Sequence, residues 1–175
     1  MDITIISSSP HRKGSSMLLV EKFIEGATKA GHNTYLFDAA LEPVAPCKGC
    51  GACKETGGCI QFDAMEIVRP RLIEADLIVF ATPIYYWDMN AQLKALIDRM
   101  YAIDADALFG KRYIVLTSSG GGEKVVEPLM SIFENIASYY TWKKLGSLHA
   151  TGVNTRDQLE ETDFPQQAYR LGEGL

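Results

Sequence analysis

Between Asp76 and Thr82 the chain reads Leu77-Ile78-Val79-Phe80-Ala81, an unbroken apolar run with a polar residue at each end. The run is too short for a helix, and it does not alternate as a half-buried strand would. A strand that is apolar on both faces needs cover on both, which is the condition of a parallel sheet held between helices. Asp2–Ser7 and Arg112–Thr117 repeat the pattern, and Thr34–Phe37 and Trp142–His149 complete the expected strands.

The segments between them carry the helical period. Val20, Phe23, Ile24 and Ala27 stand at i, i+3, i+4 and i+7 behind Gly14-Ser15-Ser16, with Gly31 just past the end. Leu93, Leu96, Ile97, Met100 and Tyr101 form one stripe over Asn90–Tyr101, and Val126, Leu129, Met130, Phe133, Ala137 and Tyr140 form another. A further helix is expected over Asp63–Glu74, with Asp63 as N-cap, Ile67 and Leu72 on its apolar side and Pro70 inside it. The polar tail Asp157–Leu171 is expected to be helical. Strand–helix alternation of this kind gives an α/β fold: a doubly wound, five-stranded parallel sheet in a three-layer α/β/α sandwich, a single domain over residues 1–175. Ligands of such sheets sit beyond the carboxyl ends of the strands. The loops after strands one, three and four are therefore expected to meet at one site.

Charge narrows the function. Lys and Arg number 17 against 22 Asp and Glu, a net charge of −5 with no basic stripe, which argues against a nucleic-acid surface. The longest apolar stretch, Leu77–Trp87, is broken by Pro83 and too short for a membrane span. Met1-Asp2-Ile3-Thr4-Ile5-Ile6 lacks the basic and long apolar regions of a signal peptide and reads as the first strand. A reducing cytoplasm is the expected compartment, where clustered cysteines serve as metal, cluster or redox residues rather than structural disulfides.

The first loop, Ser7-Ser8-Ser9-Pro10-His11-Arg12-Lys13-Gly14-Ser15-Ser16, leads into a helix N-terminus, which offers unpaired amides and positive dipole to a phosphate. It has neither the lysine-ended glycine loop of a nucleotide triphosphatase nor the Gly-x-Gly-x-x-Gly dinucleotide fingerprint. It also lacks the clustered acids of a receiver domain. The plainer alternative is a serine-rich turn capped at Ser15. After the third strand, Pro83-Ile84-Tyr85-Tyr86-Trp87 places aromatics where a ligand edge is expected, suited to a flat ring. The alternative is cover for the core or a subunit contact. After the fourth strand, Ser118-Ser119-Gly120-Gly121-Gly122 lets a ligand approach the backbone closely. A phosphate grip on one loop and a planar-ring pocket on the other two describe flavin mononucleotide.

Ser9-Pro10 with Gly14-Ser15-Ser16, then Thr82-Pro83-Ile84-Tyr85-Tyr86-Trp87, then Gln92-Leu93-Lys94-Ala95-Leu96-Ile97-Asp98-Arg99 resemble the NADPH-dependent FMN reductase family of flavodoxin-like proteins, over about Met1 to Tyr140. The resemblance implies that Ser9, His11, Gly14, Ser15 and Ser16 bind the FMN phosphate. Pro83, Ile84, Tyr85, Tyr86 and Trp87 would hold the isoalloxazine, and Ser118, Ser119, Gly120 and Gly121 would close its other side. The chain departs from the family with Ser8 in place of Gly and His11 in place of Arg. No side-chain acid or base is expected, because flavin N5 carries the chemistry. NAD(P)H is the expected co-substrate, a flavin, quinone or similar small molecule the expected electron acceptor, and a homodimer or homotetramer the expected assembly.

Residues 47–59, with Pro43 and Pro46 before them and Gly57-Gly58 inside, read as a cysteine-rich loop, in which Cys47, Cys50, Cys53 and Cys59 follow a C-x2-C-x2-C-x5-C spacing. The run resembles the compact motif of the iron–sulfur flavoproteins, a branch of the same family, which implies a [4Fe-4S] cluster and ferredoxin-type partners. Bare or redox-active thiols and a zinc site stand beside it as alternatives. Asp98-Arg99 is expected to form an intrahelical or subunit ion pair, and His32 and His149 are expected to be structural or solvated.

Overall fold

A computed structural model describes residues 1–175. Its strands are β1 (Asp2–Ser7), β2 (Asn33–Asp38), β3 (Leu77–Tyr85), β4 (Asp88–Met89), β5 (Arg112–Ser118) and β6 (Lys143–Ala150). Its helices are α1 (Ser15–Lys29), α2 (Ala52–Thr56), α3 (Met65–Glu74), α4 (Ala91–Arg99), α5 (Val126–Tyr139), α6 (Arg156–Glu160) and α7 (Phe164–Glu173). Five strands pair in parallel in the order β2-β1-β3-β5-β6, with β4 attached to β3. That is the flavodoxin-like order, with its switch point between the first strand and the third.

The apolar run does what its pattern requires. Ile78 and Phe80 enter one core with Ile6 and Val115, beneath α3, α4 and α5. Leu77, Val79 and Ala81 enter the other with Ile3, Ile5, Ile114 and Leu116, beneath α1, α6 and α7. Burying a side chain of this size contributes roughly 1.5–3 kcal/mol, so losing either layer would expose half of the sheet's apolar area. The layer over α1 is unusually close. A methyl group at Gly26 would collide with the Tyr169 carbonyl oxygen of α7, and one at Gly172 with the Phe23 carbonyl oxygen of α1. The two helices meet backbone to backbone, as only glycine allows.

Several expectations are corrected. The sheet has a sixth strand: β3 continues through Pro83-Ile84-Tyr85, and Asp88–Met89 folds back on it antiparallel, pairing Ile84 with Met89 and Tyr85 with Asp88. The cysteine segment is not all loop, since Ala52–Thr56 is a short helix between left-handed glycines 51 and 57. In α3 the N-cap is Ala64, one residue later than expected, although Asp63 Oδ1 accepts from the Met65 amide at 3.0 Å; Met65, Val68 and Leu72 face the core while Ile67 is exposed. Pro70 is inside the helix as expected, with its ring on the exposed side where a missing amide is tolerated. The apolar stripe of α4 stops at Met100, and Tyr101 is exposed. The tail divides into α6 and α7, and α7 is a core helix rather than a polar appendage.

Candidate functional site

The first loop turns tightly into α1. The Gly14 amide donates to the His11 carbonyl oxygen at 2.9 Å, and a methyl group at Gly14 would press on His11 Cβ at 2.9 Å. Gly14 is the N-cap, and no side chain caps the helix. The amides of Arg12, Lys13, Ser15, Ser16 and Met17 have no acceptor in the protein. A helix of this length with bare amides at its positive end can receive an anion. Arg12 and Lys13 stand exposed beside it and form no ion pair, so their charge is free to join. Ser15 is a helix residue and not the cap that the plainer alternative required.

Buried hydrogen bonds fix this loop to the sheet. Ser16 Oγ and Ser118 Oγ lie 2.7 Å apart, and Ser8 Oγ donates to the Ala81 carbonyl oxygen at 3.0 Å. The Asn90 side-chain amide donates to the Ser8 carbonyl oxygen, and its Oδ1 accepts from the Leu93 amide at 3.3 Å as the N-cap of α4. Its own amide donates to Thr82 Oγ1 at 3.2 Å. Asn90 therefore joins the first loop, β3 and α4. Sequence pattern marks it only as a helix start, although an asparagine before an apolar stripe is a recognisable cap.

The three serine, glycine and aromatic segments converge on one cleft of about 790 Å³. Ser9, His11, Gly14, Ser15 and Ser16 line it, with Pro83, Ile84 and Tyr85 opposite and Ser118, Ser119 and Gly120 at the back. Gly121 is next to the wall but does not line it. Tyr86 and Trp87 do not line it either. They form the two-residue turn between β3 and β4, with φ of 49° and 65°, and Tyr86 is 93% exposed. Both stand in the left-handed region that a type I′ hairpin demands and that bulky residues avoid.

A fourth segment, Val153 to Arg156, completes the cleft. The Val153 amide donates to the Ser119 carbonyl oxygen and the Gly152 amide to that of Gly121, which ties the loops after β5 and β6 together. A methyl group at Gly120 would collide with Asn154 Oδ1. The sequence reading missed this segment. The signal for it was the topology, because every parallel strand delivers its following loop to the same edge. Arg156 is paired with Glu21 at 2.8 Å and Glu160 at 2.9 Å, so its charge is already balanced.

The four cysteines occupy a separate place. All line one cavity of about 280 Å³ with Ile60, Gln61, Arg99 and Tyr101. They are free thiols, and no three potential ligands gather as a set for a single ion. An iron–sulfur cube spaces its thiolates more widely, because each binds a different iron. Four cysteines on the wall of one cavity match the ligand number of such a cube.

Arg99 corrects the expectation for Asp98-Arg99. Asp98 forms the intrahelical pair, with Lys94 at 2.6 Å. Arg99 is 1% exposed and reaches Asp63, with Nη1 at 2.7 Å from Oδ2. It also donates to the carbonyl oxygens of Ala45 and Gln61, each at 3.0 Å. Burial opposes the Asp63 charge, yet Arg99 and the amides of Met65 and Ala45 hold that carboxyl below the usual carboxylate range. His149 is part of the structure as expected: Nδ1 meets Thr117 Oγ1 at 3.0 Å, and burial with the nearby charge of Lys144 pushes it down to about 4. His32 joins the Met1 amine and the Leu175 carbonyl oxygen.

A flavodoxin-like sheet with bare helix amides and a cleft at its carboxyl edge has the form of a mononucleotide-binding α/β protein. The family model described as NADPH-dependent FMN reductase matches residues 1–147, and the chain belongs to that family, as an NAD(P)H-dependent flavin oxidoreductase. An iron–sulfur flavoprotein of Methanocaldococcus jannaschii is 29% identical, over 76% of this chain and 72% of its own length. One of Methanosarcina thermophila is 34% identical, over 71% of this chain and 65% of its own length. Among solved structures, an NAD(P)H:quinone oxidoreductase from Methanothermobacter marburgensis superposes with a TM-score of 0.78 at 21% identity, covering 98% of this chain and 94% of that one. No helix of the chain is long and apolar enough to cross a membrane.

Proposed function

We propose that the cleft holds FMN and serves electron transfer from NAD(P)H to a small planar acceptor such as a quinone or flavin. The bare amides of Arg12, Lys13, Ser15, Ser16 and Met17 carry this reading, because they form an anion site with no anion of the protein's own. Bound there, FMN supplies a two-electron hydride relay between reduced nicotinamide and an acceptor that leaves reduced and protonated. Ser9, Ser15 and Ser16 add hydroxyls to the phosphate end, and Arg12 and Lys13 take the place of the missing family arginine. Pro83 to Tyr85 wall one side of the ring and Ser118 to Gly120 the other. Tyr86 and Trp87, carried outward on the hairpin, meet an incoming acceptor or a second copy of the chain in a homodimer or homotetramer.

The cysteine cavity supports a second electron-carrying group. A [4Fe-4S] cluster held by Cys47, Cys50, Cys53 and Cys59 would supply single-electron storage and open the chain to ferredoxin-type partners. Anaerobic purification with flavin and iron counted per chain tests both parts. One FMN with NAD(P)H-dependent quinone or flavin reduction supports the first, and its absence after adding FMN overturns it. About four irons per chain, lost in Cys50→Ala, supports the second. Iron-free protein after anaerobic reconstitution removes it.

A further inference from the structure

The cysteine cavity has one charged residue buried in its wall. Arg99 ends α4, lines the cavity, and is 1% exposed. Two of its guanidinium nitrogens are engaged on both flanks of the cysteine run. Nη1 bonds Ala45, before Cys47, and both Nη1 and Nη2 bond Asp63, after Cys59. Nη2 also bonds the Gln61 carbonyl oxygen. The third, Nε, is buried with no acceptor. A buried donor left unpaired is costly unless something in its surroundings accepts from it. Burial opposes the Arg99 charge, but Asp63 and then Cys59 reinforce it, so the Cys59 sulfur is within electrostatic reach.

We propose that Arg99 is a positioning residue for the cluster, clamping both flanks of the cysteine loop and setting the cluster's reduction potential through its buried charge and unpaired Nε–H. The inference rests on the cluster reading above. Reduction adds negative charge to a thiolate-ligated cluster, and a fixed cation or an N–H donor beside it favours the reduced form. Asp63 opposes this by partly neutralising the guanidinium. The two residues are partners in the clamp but opposites in charge, and that difference separates an electrostatic role from a purely structural one.

The test uses anaerobically reconstituted full-length protein with FMN bound. It compares the cluster's midpoint potential, by redox titration followed in electron paramagnetic resonance, in wild type, Arg99→Gln, Arg99→Lys and Asp63→Asn. Arg99→Gln is expected to lower the potential by at least a tenfold shift in the reduction equilibrium, about 59 mV for one electron. Asp63→Asn is expected to raise it, and Arg99→Lys to restore most of the loss. Iron content and thermal midpoint are read on the same samples. Potentials unchanged in the variants that keep the cluster, or shifted the same way by both substitutions, overturn the proposal. If Arg99→Gln cannot hold iron, the Arg99→Lys and Asp63→Asn pair decides: a raised potential in Asp63→Asn with a near-native one in Arg99→Lys supports it, and any other pattern overturns it. A wild type that takes up no cluster at all removes the underlying cluster reading instead.

Discussion

Asn90 caps α4, donates through its backbone amide to Thr82 Oγ1 and through its side-chain amide to the Ser8 carbonyl oxygen, all within buried surroundings. Replacing it with Ala removes a cap and leaves the Ser8 carbonyl oxygen unpaired. Urea denaturation is expected to show a loss of roughly 2–4 kcal/mol, with weaker FMN binding because the first loop loses its anchor. Ser15→Asp separates stability from binding. A carboxylate in the first turn should stabilise the apoprotein by about 0.3–1 kcal/mol. The same charge would repel the FMN phosphate, so fluorescence titration is expected to show at least a tenfold weaker affinity. His149 gives a pH dependence. Its folded value of about 4 lies below the ordinary 6.5, so the unfolded chain takes up the proton first. That contribution leaves stability untouched above pH 6.5 and removes it progressively as the pH falls toward 4. Denaturation midpoints for wild type and His149→Gln should converge over that window if the reading is right, with the wild type losing more.

At the scale of elements, the hairpin between β3 and β4 is the segment that pattern alone could not find. A two-residue type I′ turn is announced by Asn-Gly or Asp-Gly, and here the positions hold Tyr86 and Trp87. Pro83 to Tyr85 line the cleft as their position suggested, whereas the strand that carries Tyr86 and Trp87 away from it was not legible. Tyr86→Asn with Trp87→Gly replaces two strained residues by favoured ones. Guanidinium denaturation is expected to show a gain of roughly 1–3 kcal/mol, while kcat/KM for a quinone or flavin acceptor falls. Stability gained with turnover unchanged would mean the tip has no part in the reaction. The buried strands and the stripes of α1, α4 and α5 were readable because one period decides each. Arg99 was not, because its partner Asp63 is far away in the chain and no local spacing records the contact.

For the whole molecule, the fold was legible from order: strand, helix, strand, repeated across the sheet. The same order placed three loops at one edge, and applied once more it would have placed the Val153–Arg156 loop there too. What order could not supply is the seat of α7, whose sequence is polar on the whole but whose Gly172 and Ala168 are buried. Gly172→Ala is expected to destabilise the protein by about 1–3 kcal/mol in thermal or chemical denaturation, with FMN affinity unchanged, since Gly172 packs at Phe23 and Ala27, away from the cleft. Because α1 forms from the first thirty residues and α7 from beyond residue 163, the flank of α1 that α7 covers leaves the ribosome long before its cover does. During synthesis that flank stays uncovered until the last helix has emerged, and only then can this layer of the core close.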